Sequence, residues 1–183
     1  MDRMKTRRIF LRQAYIPVVG AIVSARIAAG DVGGAEKAAK RGLVIAACTK
    51  HWPDNNGDCS AFVKAVAHDL HLDLTGQAND IYDQIAISPW TRIGIGADAA
   101  TIAGVSAGEG NLVIGASKGQ GNGHVAVIVD YRNAFDSYSP VDRNKAVAFW
   151  GSLDSVGQEY FRITKSWKAS DMKNVLFAYR PIP

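Results

Sequence analysis

Cysteine is scarce in this chain of 183 residues, which contains Cys48, Cys59 and no other cysteine. Two cysteines cannot build the disulfide framework of a small secreted domain, and a chain with 48% hydrophobic residues can bury a core without one. The two thiols could form a single bridge, but Cys48 lies in the apolar run 43–48, which indicates a buried helical position. Cys59 is therefore the cysteine available for chemistry.

Charged residues are also few, at 21% of the chain. This low fraction, together with the abundant apolar residues, excludes a disordered and fully solvated chain. The six prolines and eighteen glycines follow no fixed period, which excludes solenoid and low-complexity architectures. We expect one globular domain.

The net positive charge is confined to the start of the chain. The formal net charge is +4, and residues 1–29 carry six basic side chains against one acidic side chain, so the remainder has a net charge of −1. This remainder has no basic stripe interleaved with aromatic residues, which is the surface that follows a phosphate backbone. We expect no nucleic-acid partner.

The first residues have the features of an export signal. Residues 6–12, with the pair Arg7-Arg8, resemble the twin-arginine motif, and residues 14–29 form an apolar stretch too short for a membrane span. We expect residues 1–34 to be a leader, with 31–34 as its linker, and 35–183 to be the folded domain. The alternative is a basic amphipathic helix packed on that domain.

The body opens with helical patterns. Apolar residues recur at helical spacing over 35–51, and Pro53 is expected to end this helix. Asp58 is the expected N-cap of a second helix that opens with Cys59, and a third helix is expected over 78–85. The glycine-rich segment that continues to residue 110 has no single assignment.

Strand patterns dominate the second half of the chain. Four β-branched or aromatic runs, each bounded by turn residues, lie at 112–114, 124–129, 146–150 and 175–179. Helices followed by strands predict an α+β domain in which N-terminal helices pack on an antiparallel sheet.

Cys59 stands where a thiol can act as a nucleophile. A thiolate attacks carbonyl carbon far better than a thiol, so a catalytic cysteine needs an environment that favours the charged form. The first turn of a helix offers unpaired N–H groups and the positive end of the helix dipole. We expect these groups to lower the pKa of Cys59 and to stabilise an oxyanion on the substrate.

Among the four histidines, His124 is the candidate general base. His68 and His71 lie on the Cys59 helix, roughly 13 to 18 Å along its axis, beyond hydrogen-bonding reach. They also lack a third metal ligand, so we expect no metal and no cofactor. His51 is expected in a loop without a chemical role. His124 opens a strand directly after the flexible run 119–123.

The motifs around these residues resemble the NlpC-type papain-fold peptidases of bacterial cell walls. The resemblance lies in residues 58–63, 110–114 and 123–129, and the order of cysteine before histidine also matches. Within that group the chain is most similar to the first family of type VI secretion amidase effectors. The shared features are Ala47-Cys48, Trp52, Gly76-x-Ala78-Asn79, Gly151-Ser152 and residues 156–158.

The resemblance implies a papain-like fold and hydrolysis of peptidoglycan stem peptides between D-glutamate and diaminopimelate. Cys59 would form an acyl-enzyme with His124 as its general base, and Asp58, Ser60 and Asn79 would contact substrate. One departure is Ala61, where the family pattern has glycine after Cys-Ser.

The residue that orients His124 has no clear candidate in the matching strand. Ser152, the indole N–H of Trp150 or a backbone carbonyl could serve. Asp130 is excluded because six residues along a strand span roughly 20 Å. The third member of the site is left open.

Three functional classes are compatible with these patterns. The first is a secreted or periplasmic peptidoglycan amidase, either a wall enzyme of the producing cell or an antibacterial toxin with an immunity protein as partner. The second is an inactive amidase-fold module that binds the cell wall. The third is a cysteine acyltransferase with another substrate. Alkylation of the thiol separates the second class from the other two.

Overall fold

The computed structural model of the chain describes residues 29–132, 145–153 and 155–183. The twin-arginine motif and nearly all of the apolar stretch behind it lie outside these described residues. In the part that the structure describes, no helix has the length and hydropathy needed to span a membrane.

Helices and strands form an α+β domain, which confirms the predicted fold class. The helices are α1 (Ala29–Asn55), α2 (Cys59–Asp69), α3 (Ala78–Ile85), α4 (Ala97–Gly108) and α5 (Ala169–Met172). The strands are β1 (Thr91–Ile95), β2 (Asn111–Ser117), β3 (His124–Arg132), β4 (Lys145–Trp150), β5 (Gln158–Arg162) and β6 (Leu176–Pro181). A short 3-10 turn, Ile163–Lys165, follows β5. The sheet order is β1-β6-β2-β3-β4-β5, and every pair is antiparallel.

Both faces of the sheet are covered, which explains why its central strands are apolar without interruption. In β2, Leu112 and Ile114 join the core formed with α1, α2 and α3, whereas Val113 joins the core on the side of α4. Successive side chains of a strand point to opposite faces, so a strand buried on both faces needs apolar residues at every position. The same alternation holds in β3.

The start of the domain differs from the expected linker. Residues 31–34 belong to α1, which begins at Ala29 and also runs two residues past Pro53 before it ends. Extending an existing helix costs far less free energy than nucleating one, so the hydrogen-bonded ladder continues through Gly33 and Gly34. Proline loses only one backbone hydrogen bond when it lies in the last turn.

The structure adds two strands and two helices that were not expected, one of the helices being the short α5. β1 and α4 occupy the glycine- and alanine-rich segment before residue 110, and β5 pairs with β4 at the other edge of the sheet. Edge strands and small-residue helices carry weak periodic patterns, because fewer of their side chains must be apolar. The expected helices over 35–51, 59–70 and 78–85 and the four expected strands are confirmed.

Candidate active site

The helix that carries Cys59 begins where it does because Asp58 caps it. The backbone of Asp58 is extended, and its Oδ1 accepts hydrogen bonds from the N–H groups of Ser60 at 2.8 Å and Ala61 at 2.9 Å. An aspartate at this position satisfies two donors that the helix cannot pair internally. The predicted N-cap is therefore confirmed, and Cys59 is the first residue of α2.

This cap changes the expected source of oxyanion stabilisation. The N–H groups of Ser60 and Ala61 point at the Asp58 carboxylate, so they are not available to a substrate. The backbone N–H groups of Cys59 and Val125 act to lower the pKa of the Cys59 thiol, which indicates that both lie near its sulfur. The predicted cap therefore occupies two of the donors that the sequence had assigned to the oxyanion.

The environment of the thiol raises its pKa, contrary to the expected lowering. Burial is the largest cause, and Cys59 is 4% exposed. The N–H group of Val125 and the hydroxyl of Ser60, 3.9 Å from Sγ, act in the opposite direction, while the negative charge of Asp58 adds to the increase. Removal from water destabilises the thiolate more here than the first turn of the helix stabilises it. The resting cysteine is a neutral thiol.

His124 is the first residue of β3 and lies opposite Ser117 of β2. Its ring packs edge-on against Trp167, with ring centroids 4.9 Å apart, and its Nε2 lies 2.7 Å from the hydroxyl oxygen of Ser166. Burial lowers the pKa of His124 to about 4. The imidazole is therefore neutral at physiological pH and able to accept a proton.

Trp167 joins the histidine to the sheet. Its indole N–H donates a hydrogen bond to the Ser117 hydroxyl at 2.8 Å, and its ring packs against Phe177 of β6. Gly115 provides the space, because a Cβ at this position would lie 2.8 Å from the Phe177 ring and 3.2 Å from the Trp167 ring. The orientation of the indole is thus set by two strands.

Cys59 and His124 line one open cleft of about 440 Å³. The two residues come from different elements, and the thiol lies beside the backbone of Val125, the residue that follows His124. The rest of the lining is largely polar and consists of Ser117, Lys118, Gly119, Asn122, Gly123, Ser152, Leu153, Ser166, Trp167, Asp171 and Asn174. The structure therefore brings the two candidate catalytic residues together.

The three residues expected to contact substrate do not line this cleft in the described part of the chain. Asp58 caps α2, and Ser60 is 2% exposed beneath the nucleophile. Asn79 holds the loop that precedes β3: its Nδ2 donates to the carbonyl oxygens of Gly119 at 3.1 Å and Gly121 at 3.2 Å. Asparagine, aspartate and serine side chains can bond to nearby backbone instead of a ligand, and sequence does not separate the two roles.

The residues proposed from sequence to orient His124 have other partners. The Ser152 hydroxyl accepts a hydrogen bond from Ser155 at 3.0 Å. The Trp150 side chain belongs to the core on the α4 side, and its carbonyl accepts from the Trp52 indole at 3.1 Å. Ser166 was missed because it lies 42 residues from His124 in a segment with no matching motif.

The other polar candidates lie away from the cleft. Asp130, excluded on reach, is bonded to Arg41 at 2.5 Å. His51 lies within α1, not in a loop, and its Nε2 is 3.4 Å from a carboxylate oxygen of Asp69. His68 and His71 are exposed. Cys48 is fully buried in α1, and both cysteines are free thiols.

Comparison with known proteins gives one informative relative. No protein-family profile matches the chain. Over 130 residues the chain is 34% identical to the peptidoglycan amidase Tse1 of Pseudomonas aeruginosa, and the match covers 65% of this chain and 81% of the relative.

Proposed function

The chain belongs to the family of type VI secretion amidase effectors that contains the peptidoglycan amidase Tse1, and we propose that it hydrolyses an amide bond of peptidoglycan. The observation that carries this proposal is the single cleft lined by Cys59 and His124. A thiol beside a neutral imidazole, in a cleft open to solvent, suits acyl transfer to a cysteine. The arrangement of α2 against the sheet also fits a papain-like fold.

Proton transfer accompanies attack on the substrate in this mechanism. Because the pKa of Cys59 is raised and that of His124 is lowered, the resting pair is a thiol and an imidazole, not an ion pair. Ser166 occupies Nε2, which leaves Nδ1 of His124 to take the thiol proton. As Sγ bonds to the carbonyl carbon, the carbonyl π electrons move onto oxygen and His124 becomes an imidazolium.

Collapse of this tetrahedral intermediate releases the amine half of the substrate. The C–N bond breaks, His124 gives its proton to the leaving nitrogen, and an acyl group remains on Cys59. Water then attacks the thioester with His124 again as base, and the thiol is regenerated. The N–H of Cys59 is a donor for the oxyanion in both steps, since the next two N–H groups are bound to Asp58.

The substrate is proposed to be the stem peptide, cut between γ-D-glutamate and diaminopimelate. This choice of bond rests on the family resemblance, and the cleft is compatible with it. A stem peptide carries an amine, and the cleft presents the carboxylate of Asp171 as a complementary charge, whereas Lys118 is paired with Asp83 at 2.7 Å. The protein would act in the periplasm after secretion or injection, and a toxin of this kind requires an immunity protein in the cell that makes it.

Digestion of purified peptidoglycan tests the proposal. The full chain is incubated with purified sacculi, and the soluble fragments are sequenced by tandem mass spectrometry. New diaminopimelate amino termini are expected. Cleavage at the sugar–lactyl amide, at cross-links or at glycosidic bonds would refute the assigned bond, and intact sacculi that retain the protein would favour the binding module.

Variants of Cys59, His124 and Cys48 separate a loss of catalysis from a loss of folding. Cys59→Ala and His124→Ala should each abolish product formation, because the nucleophile and the base act in the same step and the loss of either one stops it. Cys48→Ala is the matched control, since Cys48 is a fully buried thiol outside the cleft. Circular dichroism checks the fold of each variant, and more than trace activity in folded Cys59→Ala contradicts the mechanism.

A further inference from the structure

We propose that Ser166 is the residue that positions His124, so that a neutral hydroxyl takes the place of the carboxylate or amide of other catalytic triads. This inference rests on the proposed function, because it assigns a role within the same cleft. It identifies the third member of the site that the sequence left open.

The hydrogen bond between His124 and Ser166 is short, and each residue is fixed by the element that carries it. Nε2 of His124 lies 2.7 Å from the Ser166 hydroxyl oxygen. Ser166 ends the turn Ile163–Lys165, where its N–H donates to the Ile163 carbonyl at 2.9 Å, and Ile163 is 1% exposed. The Ser166 hydroxyl is therefore carried by a turn that the buried Ile163 side chain anchors in the core.

The next residue fixes the plane of the imidazole. Trp167 packs edge-on against the His124 ring while its indole is bonded to Ser117, the strand neighbour of His124. A histidine ring held by one hydrogen bond keeps some freedom to turn about its Cβ–Cγ bond. The dipeptide Ser166-Trp167 prevents this rotation, because it supplies a hydrogen bond at Nε2 and a packing contact on the ring.

A hydroxyl at this position is compatible with the tautomer that the mechanism needs, because it can accept a hydrogen bond from Nε2–H. When Nε2 carries the proton and donates it to the Ser166 oxygen, Nδ1 keeps the lone pair that accepts the thiol proton. A carboxylate would in addition stabilise the imidazolium by charge, which serine cannot do. The titratable side chains that line the cleft with His124 are Cys59, Lys118 and Asp171.

Three serine variants test the role of the hydroxyl. Ser166→Ala should lower kcat about 10- to 100-fold with little change in KM, since a hydrogen bond to a group that becomes charged is lost. Ser166→Thr, which retains a hydroxyl, should recover most of kcat. Ser106→Ala removes a serine of α4 far from the cleft and is the matched control. Unchanged kcat in folded Ser166→Ala overturns the proposal.

Readouts that need no substrate keep this test separate from the proposed function. Nitrogen NMR of His124 in the full chain should show Nε2 protonated in the wild type and a mixture of tautomers in Ser166→Ala. The rate of Cys59 alkylation by iodoacetamide should fall in the same variant at neutral pH. A wild-type protein that cuts no peptidoglycan would refute the function alone. A wild-type His124 protonated at Nδ1 would refute the role of Ser166 even if Ser166→Ala does not fold.

Discussion

Asn79 holds Gly119 from both sides: its Nδ2 donates to the Gly119 carbonyl at 3.1 Å, and its Oδ1 accepts from the Gly119 N–H at 3.1 Å. Gly119 lies in the loop 118–123 that precedes His124, so an amide on α3 fixes the approach to the candidate base. Gly123 completes the fit, because a Cβ there would lie 2.6 Å from Asn79 Oδ1 and 2.3 Å from the Ser117 carbonyl oxygen.

Replacing Asn79 with alanine should loosen this loop and lower both stability and activity. Three hydrogen bonds are lost at a partly exposed site, so the free energy of unfolding should fall by about 1 to 2 kcal/mol, below the sum of three full bonds. Urea titration measures the change. Asn56→Ala, which removes one exposed amide hydrogen bond, is the matched control. Equal losses in the two variants would contradict the role of Asn79.

Replacing Asp58 with asparagine should lower the pKa of Cys59. Burial is the main cause of the raised pKa and is unaffected, but the negative charge of Asp58 also raises it and is removed. Asparagine retains an oxygen that can cap the helix, so stability should change little, whereas Asp58→Ala should cost about 1 kcal/mol. The pH dependence of iodoacetamide alkylation gives the pKa, with Asp69→Asn at the far end of α2 as control. A midpoint that rises or stays constant would be inconsistent with this account.

Stability should fall with pH between about 6.5 and 4 because of His124. Its pKa is lowered by burial from 6.5 to about 4, so between these values the unfolded chain binds a proton that the folded chain does not. The free energy of unfolding therefore decreases as pH falls through this window, by an amount on the order of 3 kcal/mol. Urea titrations at pH 7 and pH 4.5 measure it. His124→Gln should flatten the pH dependence of the free energy of unfolding, and His68→Gln is the matched control. Identical pH slopes for His124→Gln and the wild type would rule out His124 as the cause.

Removing the residues before Asp31 should leave folding and peptidoglycan hydrolysis intact in vitro. Among the described residues of α1 whose burial is defined, the first buried side chain is Val44, and the shortened chain keeps all of these residues. Melting temperature and the muropeptide assay compare the two chains. A shortened chain that does not fold would show that the first residues belong to the domain and would argue against a separate export leader.

The elements with strong local sequence patterns were predicted, and the elements that depend on distant residues were not. Helices α2 and α3 were predicted from apolar residues at helical spacing, and the strands that contain 112–114 and 124–129 from continuous β-branched runs bounded by turn residues. β1 and β5 carry weak patterns at the edges of the sheet, where one side is open to solvent. Their pairing with β6 and β4 depends on residues far along the chain.

The sequence alone determined where the candidate nucleophile and base lie, and the tertiary structure decided how their environment acts on them. The cap of Asp58 and the strand that opens at His124 are local features, since each depends on residues a few positions away. The cleft, the raised pKa of Cys59 and the bond from Ser166 depend on what packs around each group. Desolvation and a hydrogen bond across 42 residues arise only when distant segments meet, so no local pattern encodes them.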